Sequence, residues 1–149
     1  GSIRWNILVL IFGMLALGLA MEKTGAVGLV VNSLALAAGL FGPLVALSAI
    51  YFITSALTEI MSNNATAILL TPIAAGLALQ LGVDPRPFVV AVMFAASASF
   101  ATPIGYQTNT FVYGAGGYRF RDFVRIGLPL NFILWATATL VIPVFWPLT

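Results

Sequence analysis

The sequence predicts an all-α integral membrane fold, on three observations. Of its 149 residues, 61% are hydrophobic and 7% are charged, whereas an ordinary soluble domain has about 45–50% apolar and about 25% charged residues. So few charges cannot cover the surface of a compact soluble domain of this length. The apolar residues also form long uncharged segments separated by short charged turns, and such segments predict helices that enter or cross a bilayer.

The composition also excludes several classes of function. The chain contains no cysteine and no histidine, so it lacks disulfides, thiolate metal ligands and the side chain that most often acts as a general base. We therefore expect a protein that is not an enzyme. The formal net charge of +2 is too small to indicate binding to nucleic acid, and the basic residues are better explained as signals of membrane topology.

The first two apolar segments predict one span and one shorter helix. Residues 5–21 carry no charge and would rise about 26 Å as a helix, close to the hydrocarbon thickness of about 30 Å. Glu22, Lys23 and Gly25 follow and should end this span. Residues 26–40 are apolar but shorter, and we interpret them as an arm helix at the membrane interface.

Residues 44–81 are long enough for two helices, yet their centre is the most polar part of the chain. Two arrangements remain open: two helices that meet at a loop outside the membrane, or a re-entrant hairpin whose tip stops at mid-depth. Each arm of about 15 residues is short for a span, and the tip lacks the Lys or Arg that usually marks an exposed loop. We favour the re-entrant hairpin, whose tip should line a site because irregular backbone at that depth is tolerated only against protein or water.

The remaining residues predict a broken helix and a last span. A turn at residues 81–87 contains two prolines and two charges, and the apolar segment after it, residues 88–113, is interrupted by Pro103 and Gly105. A loop between two spans would also explain this interruption, but a broken helix is the simpler interpretation. Residues 126–146 predict the last span, with Pro129 in its first turn and Trp146 as an interfacial anchor.

The charged residues before the last span predict its orientation. Residues 119–125 contain three arginines, Arg119, Arg121 and Arg125, and one acid, Asp122. This basic bias places the segment in the cytoplasm, so the C-terminus and the turn at residues 84–87 would lie outside and the hairpin would open outward. We expect the protein in the plasma membrane or the inner membrane.

Two polar interruptions, residues 62–66 and 102–110, form the candidate site. A helix that is broken within the membrane exposes backbone N–H groups at one half-helix, which attract an anion, and carbonyl groups at the other, which attract a cation. The oxygen ligands of serine, threonine, asparagine and the backbone suit sodium and do not suit zinc or copper. The pattern therefore predicts a small anion bound beside a sodium ion.

Two stretches carry a resemblance to a known family: "TEIMSNNATAILLTPIA" at residues 58–74 and "ATPIGYQTN" at residues 101–109. Together with "FGMLALGLAMEKTGAVG" at residues 12–28, they resemble the C-terminal repeat of the divalent-anion/sodium symporters, which move sulfate or dicarboxylates. In that family two hairpins from inverted repeats each carry a Ser-Asn-Thr motif at the tip, and the tips together hold the anion and the coupling sodium ions. The resemblance implies that this chain is one inverted-repeat half, about half of a transporter.

The resemblance also implies a set of site residues. The implied substrate-binding residues are Ser62, Asn63, Asn64, Thr102 and Pro103. The implied sodium-binding residues are Thr58, Met61 through its carbonyl group, Asn63 and the backbone of Ala101. Asn64 stands where the family motif has threonine, so an amide replaces a hydroxyl group beside the anion. Further candidates, polar or ionisable side chains within or beside apolar segments, are Glu59, Thr66 and Asn109.

We therefore expect the C-terminal half of a secondary transporter that uses Na⁺ as the coupling ion for uptake of a small divalent anion, sulfate or a dicarboxylate. The expected partners are the anion, the lipid bilayer and either an N-terminal half or a second copy in a homodimer, but no nucleic acid. In the mechanism that the resemblance implies, the hairpin and the broken helix move as a unit against the first and last spans. A non-transporting membrane assembly fragment and an ion channel remain open alternatives, because a sequence cannot show alternating access.

Overall fold

The computed structural model describes residues 42–149, together with residues 16, 20, 23 and 24. The predicted span at residues 5–21, apart from two isolated positions, and the predicted arm helix at residues 26–40 lie outside the described residues. Within residues 42–149 the chain is helical with no strand, which confirms the predicted all-α class for this part. Its helices, numbered in chain order, are α1 Pro43–Thr58, α2 Asn63–Gln80, α3 Arg86–Ser97, α4 Gln107–Gly116 and α5 Phe120–Phe145.

Helices α1 and α2 form a helical hairpin. α1 begins at Pro43. Proline is tolerated there because the N–H groups of the first turn of a helix have no acceptor within the helix. Four residues, 59–62, join the two helices, and we call this turn the hairpin tip. Ser62 starts α2, because its side-chain oxygen accepts a hydrogen bond from the Ala65 N–H at 3.3 Å.

Residues 98–106 separate α3 from α4, and we call this segment the break. α3 begins at Arg86, whose N–H donates to Asp84 Oδ1 at 2.9 Å. A continuous helix is excluded at Pro103, which lacks a backbone donor and whose ring would collide with the preceding turn. The chain becomes helical again at Gln107 and ends α4 at Gly116, followed by Gly117 in the left-handed conformation.

The core lies where α1, α2 and α3 meet. Its main buried side chains are Leu47, Ile50 and Tyr51 of α1, Ile73, Ala74 and Leu77 of α2, and Phe88, Ala91, Val92 and Ala95 of α3. The alanines of α3 lie one turn apart and allow the hairpin to approach closely, which is the packing that helices use when lipid removes the hydrophobic driving force. α3 is therefore the surface on which the hairpin rests.

Helix α5 is, in the part of the chain that the structure describes, the one helix long and apolar enough to cross a membrane. It begins at Phe120, earlier than the predicted span at residues 126–146, because Asp122 Oδ2 accepts a hydrogen bond from the Arg119 N–H at 2.8 Å and starts the helix there. Pro129 consequently lies inside the helix, and its predicted place in the first turn is wrong. Large apolar side chains remain 62–75% exposed along α5, namely Ile126, Ile133, Leu140, Val144 and Phe145, a surface suited to lipid or to other protein.

Helix α5 is attached to the rest of the fold at two levels. Near its C-terminal half, the Trp135 indole N–H donates to the Ser48 carbonyl oxygen of α1 at 3.1 Å. Two residues after Arg125, Gly127 lies directly on the break, and a Cβ atom there would collide with the backbone of Phe100 and Ala101. Glycine at this position therefore sets how closely α5 approaches the break.

We expect the substitution Gly127→Ala to destabilise the full-length protein by about 1–3 kcal/mol, because backbone atoms cannot yield to the added methyl group. The measurement is the melting temperature of the purified protein in detergent. The matched control is Gly114→Ala on α4, where an added Cβ meets nothing within 4 Å in the described structure and alanine has the better helix propensity. Equal melting temperatures for the two variants would contradict the close contact at Gly127.

Candidate functional site

Glu59 joins the hairpin tip to the break. Its Oε1 accepts hydrogen bonds from the Phe100 and Ala101 N–H groups, each at 3.0 Å, and its Oε2 accepts one from the Thr102 N–H at 2.8 Å. The Thr102 hydroxyl group donates in return to the Glu59 carbonyl oxygen at 2.6 Å. Three consecutive backbone donors that the interrupted helix leaves unpaired are thus satisfied by one carboxylate.

Helix α5 contributes to the same carboxylate. Asn131 Nδ2 donates to Glu59 Oε1 at 2.6 Å, and the Ser99 hydroxyl group lies 3.5 Å from Glu59 Oε2. Asn131 lies four residues after Gly127, so both residues occupy the same face of α5. The hairpin tip, the break and α5 therefore meet at Glu59.

Two predicted sodium ligands, Thr58 and Asn63, lie in contact. Thr58 Oγ1 is 3.0 Å from Asn63 Oδ1 and 2.7 Å from the carbonyl oxygen of Ala96. A hydroxyl group has one proton, so it can donate to only one of these acceptors at a time. When it donates to Ala96, the lone pairs of Thr58 and Asn63 face each other, an arrangement that a cation between the two oxygens would stabilise.

The other two predicted sodium ligands, the carbonyl group of Met61 and the backbone of Ala101, come from different segments of the chain. Met61 is in the hairpin tip, where its N–H donates to the Leu57 carbonyl oxygen at 2.9 Å. Ala101 is buried in the break, and its N–H is held by Glu59. Within the described residues, no group of three or more His, Cys, Asp or Glu side chains is available to a metal ion, so a cation here would depend on neutral oxygens and on the single carboxylate of Glu59.

The predicted anion-binding motif occupies the beginning of α2. Ser62 is the N-cap, and Asn63 and Asn64 are the first two residues of the helix. Ser62 and Asn64 are exposed, whereas Asn63 is partly buried. The backbone N–H groups at such first positions have no acceptor within the helix, and the helix dipole adds partial positive charge there.

The opposite wall of the predicted anion site consists of Thr102 and Pro103. The Thr102 N–H and hydroxyl group both bind Glu59. Pro103 has no N–H, and its carbonyl oxygen accepts a hydrogen bond from the Thr110 hydroxyl group at 2.6 Å. The N–H groups of residues 100–102 are therefore bound within the protein, whereas the first N–H groups of α2 and of α4 lie at helix N-termini, where they have no acceptor within their own helix.

The remaining candidates occupy supporting positions. Asn109 Nδ2 donates to the carbonyl oxygens of Ser99 at 2.9 Å and Thr102 at 3.1 Å. It therefore links two residues of the break to the first turn of α4. Gly105 packs against the Thr58 carbonyl oxygen and the Ser99 side chain, where a Cβ would not fit. Thr66 is fully buried, and its hydroxyl group has no hydrogen-bond partner among the described residues.

The sequence reasoning missed Asn131, Gly127 and Ser99. Asn131 carried a usable signal, because it is an amide in an otherwise apolar segment, and polar side chains at such depth usually have a partner. Gly127 and Ser99 carried none, since glycine and serine are common in membrane helices for reasons of packing alone.

Comparison with curated proteins shows relatives that are transporters. The chain is 49% identical over 142 residues to an uncharacterized transporter of Synechocystis sp., covering 95% of this chain and 23% of the relative. It is 35% identical over 142 residues to sodium/sulfate cotransporter 1 of Chlamydomonas reinhardtii, covering 95% of this chain and 16% of the relative. It is 31% identical over 141 residues to the sodium-dependent dicarboxylate transporter SdcS of Staphylococcus saprophyticus, covering 95% of this chain and 27% of the relative.

The chain spans less than a third of the length of each of these relatives, which is less than the half that the resemblance implied. The family described as citrate transporter matches residues 1–92, more than half of the chain. The matched segment includes the whole hairpin and the first part of α3. The resemblance to sodium-coupled anion transporters is confirmed, and the chain belongs to the citrate transporter family.

Proposed function

We propose that the chain forms part of a secondary transporter that couples sodium entry to uptake of a small divalent anion, sulfate or a dicarboxylate. The proposal depends on one observation: the Thr58 hydroxyl oxygen and the Asn63 amide oxygen lie 3.0 Å apart at the N-terminus of α2, where the first backbone N–H groups have no acceptor within the helix. A cation and an anion would bind side by side at the hairpin tip. The names of two relatives, a sodium/sulfate cotransporter and a sodium-dependent dicarboxylate transporter, support this pair of ions.

The proposed sodium site consists of the side-chain oxygens of Thr58 and Asn63 and the carbonyl oxygens of Met61 and Ala101. Glu59, the next residue after Thr58, adds a negative charge at short range. Because Coulomb interactions are strong where the dielectric constant is low, this charge favours a cation over water in the site. It also repels the anion, which places the anion on the far side of Asn63.

The proposed anion site consists of the Ser62 hydroxyl group, the Asn64 amide group and the first N–H groups of α2. A helix N-terminus binds anions through such N–H groups and the helix dipole. Once a sodium ion lies beside Asn63, its charge adds to the attraction for the anion. Each ion would then stabilise binding of the other, and this mutual dependence is what symport requires.

The depth of the hairpin tip follows from its contact with α5. Asn131, which binds Glu59 of the tip, is the twelfth of the 26 residues of α5. A helix of that length rises about 39 Å, so the contact lies near its middle. If α5 crosses the bilayer, the tip reaches mid-depth and no further, which supports the re-entrant hairpin over a loop outside the membrane.

The ends of α5 support the proposed orientation. The Asp84 N–H donates to the carbonyl oxygen of Thr149 at 3.1 Å, so the turn before α3 and the C-terminus lie at the same end. Arg119, Arg121 and Arg125 lie at the opposite end of α5. We propose that these arginines lie in the cytoplasm and the C-terminus outside, in accordance with the excess of basic residues in cytoplasmic segments.

The contacts of α5 also revise the proposed motion. α5 binds the tip through Asn131, the break through Gly127 and α1 through Trp135. A rigid-body movement of hairpin and break against α5 would break all three contacts. We therefore propose that α5 moves together with the hairpin, and that the fixed frame lies elsewhere in the full-length protein.

The decisive experiment measures uptake of radiolabelled sulfate and succinate by the full-length protein in proteoliposomes. We expect an inward sodium gradient to stimulate uptake of one of these anions, whereas a potassium gradient or a proton gradient does not. Absence of sodium stimulation for every divalent anion tried would refute the proposed function.

The sodium site is checked by Thr58→Val, which removes the hydroxyl group and preserves the side-chain volume. We expect the sodium concentration for half-maximal uptake to rise about tenfold, the effect of losing about 1.4 kcal/mol of binding free energy. The control is Thr54→Val, because Thr54 is one turn earlier on α1, equally buried, and bonded only to its own helix at the Ile50 carbonyl oxygen. A larger effect of the control than of Thr58→Val would remove Thr58 from the site.

The anion site is checked by Asn64→Asp, which places a carboxylate where the anion is proposed to bind. We expect uptake to fall by at least about tenfold through like-charge repulsion, whereas Asn64→Thr, which restores the hydroxyl group of the family motif, should retain uptake. An aspartate in the first turn of a helix stabilises that helix, so unfolding would not explain the loss. Unchanged uptake by the aspartate variant would place the anion elsewhere.

A further inference from the structure

We infer that Glu59 is a positioning residue for the sodium site, which it shapes by orienting the Ala101 carbonyl group, and that Asn131 of α5 holds Glu59 in place. This inference rests on the proposed sodium site and assigns to Glu59 a part other than direct contact with the ion. It also makes α5, which contributes no ligand to the site, a determinant of sodium affinity.

The oxygens of Glu59 are already occupied. An ionised carboxylate offers about four lone-pair positions, and four donors surround this one: the three backbone N–H groups of the break and the Asn131 amide. The Ser99 hydroxyl group has one proton and lies closer to the Thr58 carbonyl oxygen. A sodium ion bound to the carboxylate would compete with these four donors. Glu59 therefore acts on the ion through its charge and through the backbone that it holds.

The backbone that Glu59 holds includes a proposed sodium ligand. The carbonyl group of Ala101 and the N–H group of Thr102 belong to one peptide unit, which is planar and trans. In such a unit the C=O and N–H bonds point in opposite directions. Because the Thr102 N–H points at Glu59 Oε2, the Ala101 carbonyl oxygen must point away from the carboxylate, with its lone pairs free for a cation.

The main chain at the start of the hairpin tip is also hydrogen-bonded to the break. The Thr102 hydroxyl group donates to the Glu59 carbonyl oxygen, and the Ser99 hydroxyl group donates to the Thr58 carbonyl oxygen at 3.2 Å. Thr58 carries a proposed side-chain ligand, and Ala101 carries a proposed carbonyl ligand. The distance between these ligands is thus constrained by hydrogen bonds from the break to two adjacent residues, Thr58 and Glu59.

Asn131 forms a hydrogen bond through its amide N–H group but not through its amide oxygen. Its Oδ1 atom is buried and has no partner among the described residues. The side chain borders a cavity of about 130 Å³ with a mostly apolar lining that includes Phe52, Phe132 and Trp135. An apolar side chain would fit such surroundings at lower cost, since an unpaired buried acceptor is unfavourable. What the amide adds at this position is the hydrogen bond to Glu59.

The test uses the full-length protein in proteoliposomes and the variants Glu59→Gln and Asn131→Leu, the latter similar in size but without a donor. We expect Glu59→Gln to raise the sodium concentration for half-maximal uptake by about tenfold or more, while the anion concentration for half-maximal uptake at saturating sodium changes by less than about threefold. Asn131→Leu should raise the sodium requirement by about threefold to tenfold. The double variant should resemble Glu59→Gln alone, because Asn131 acts through Glu59.

The matched control is Thr139→Val on α5. Thr139 is partly buried, and its hydroxyl group lies 2.8 Å from the Trp135 carbonyl oxygen of its own helix and 3.5 Å from the Ser48 hydroxyl group of α1. The variant therefore removes a polar group between α5 and α1, two turns away from Asn131. We expect its sodium requirement to equal that of the unmodified protein. A rise equal to that of Asn131→Leu would show a general loosening of α5 and would overturn the inference.

Hydrogen exchange followed by mass spectrometry supplies a readout that does not need transport. Peptides that contain residues 100–102 should exchange slowly in the unmodified protein and faster in both Glu59→Gln and Asn131→Leu, because the N–H groups of these residues lose their acceptor or its support. Unchanged exchange in these variants would overturn the inference even if uptake were lost.

The outcomes separate the inference from the proposed function. Uptake that no sodium gradient stimulates in the unmodified protein would refute the sodium-coupled function. Sodium-stimulated uptake with an unchanged sodium requirement in Glu59→Gln, or effects of the two substitutions that simply add, would refute the positioning role and leave the function intact. If Glu59→Gln proves inactive, the sodium requirement and the hydrogen-exchange rates of Asn131→Leu decide whether the positioning role of Glu59 holds.

Discussion

The described structure depends on one requirement, that backbone N–H groups inside a membrane find acceptors within the protein. The break between α3 and α4 releases three such groups in succession, at Phe100, Ala101 and Thr102, and the carboxylate of Glu59 accepts all three. Without this acceptor the break would be costly, because each unpaired buried donor costs about 1–3 kcal/mol. The positions of the hairpin tip, the break and α5 follow from the need to bring these groups together.

The same arrangement explains how a negative charge is tolerated in so apolar a chain. Hydrogen bonds to an ionised carboxylate are roughly twice as strong as neutral ones, and Glu59 also receives the Asn131 amide. No lysine or arginine is needed beside it, and the described structure contains one ion pair, between Arg86 and Asp84 in an exposed turn. The charge of Glu59 is therefore not cancelled by a fixed cation, and this suits the proposal that a mobile cation binds next to it.

The polar residues of the candidate site fall into two groups, according to whether their hydrogen-bonding groups are already paired within the protein. The first group holds the backbone in place, because its side chains donate hydrogen bonds to backbone carbonyl groups beside the hairpin tip and in the break. It comprises Thr102, Ser99 and Asn109. The second group retains lone pairs or first-turn N–H groups and comprises Thr58, Asn63, Ser62 and Asn64. In the proposed site the hairpin thus supplies the side-chain contacts to the ions, and the break supplies the Ala101 carbonyl group and the hydrogen bonds that hold the hairpin tip.

Local patterns were enough to predict helices within residues 42–149, a polar centre in the segment at residues 44–81 and the interruption at Pro103, because apolar runs, proline and N-cap residues act within a few residues of chain. The motif at Ser62 to Asn64 and its likeness to sodium-coupled anion transporters could also be found from the sequence alone. The role of Glu59 could not, since it depends on donors 41 to 43 residues away in the break and on Asn131, 72 residues away. Nor could the sequence reveal that Glu59 accepts the backbone N–H groups of the break, or that Gly127 lets α5 approach the break closely. The packing of distant segments decides which polar groups are paired and which remain available to ions.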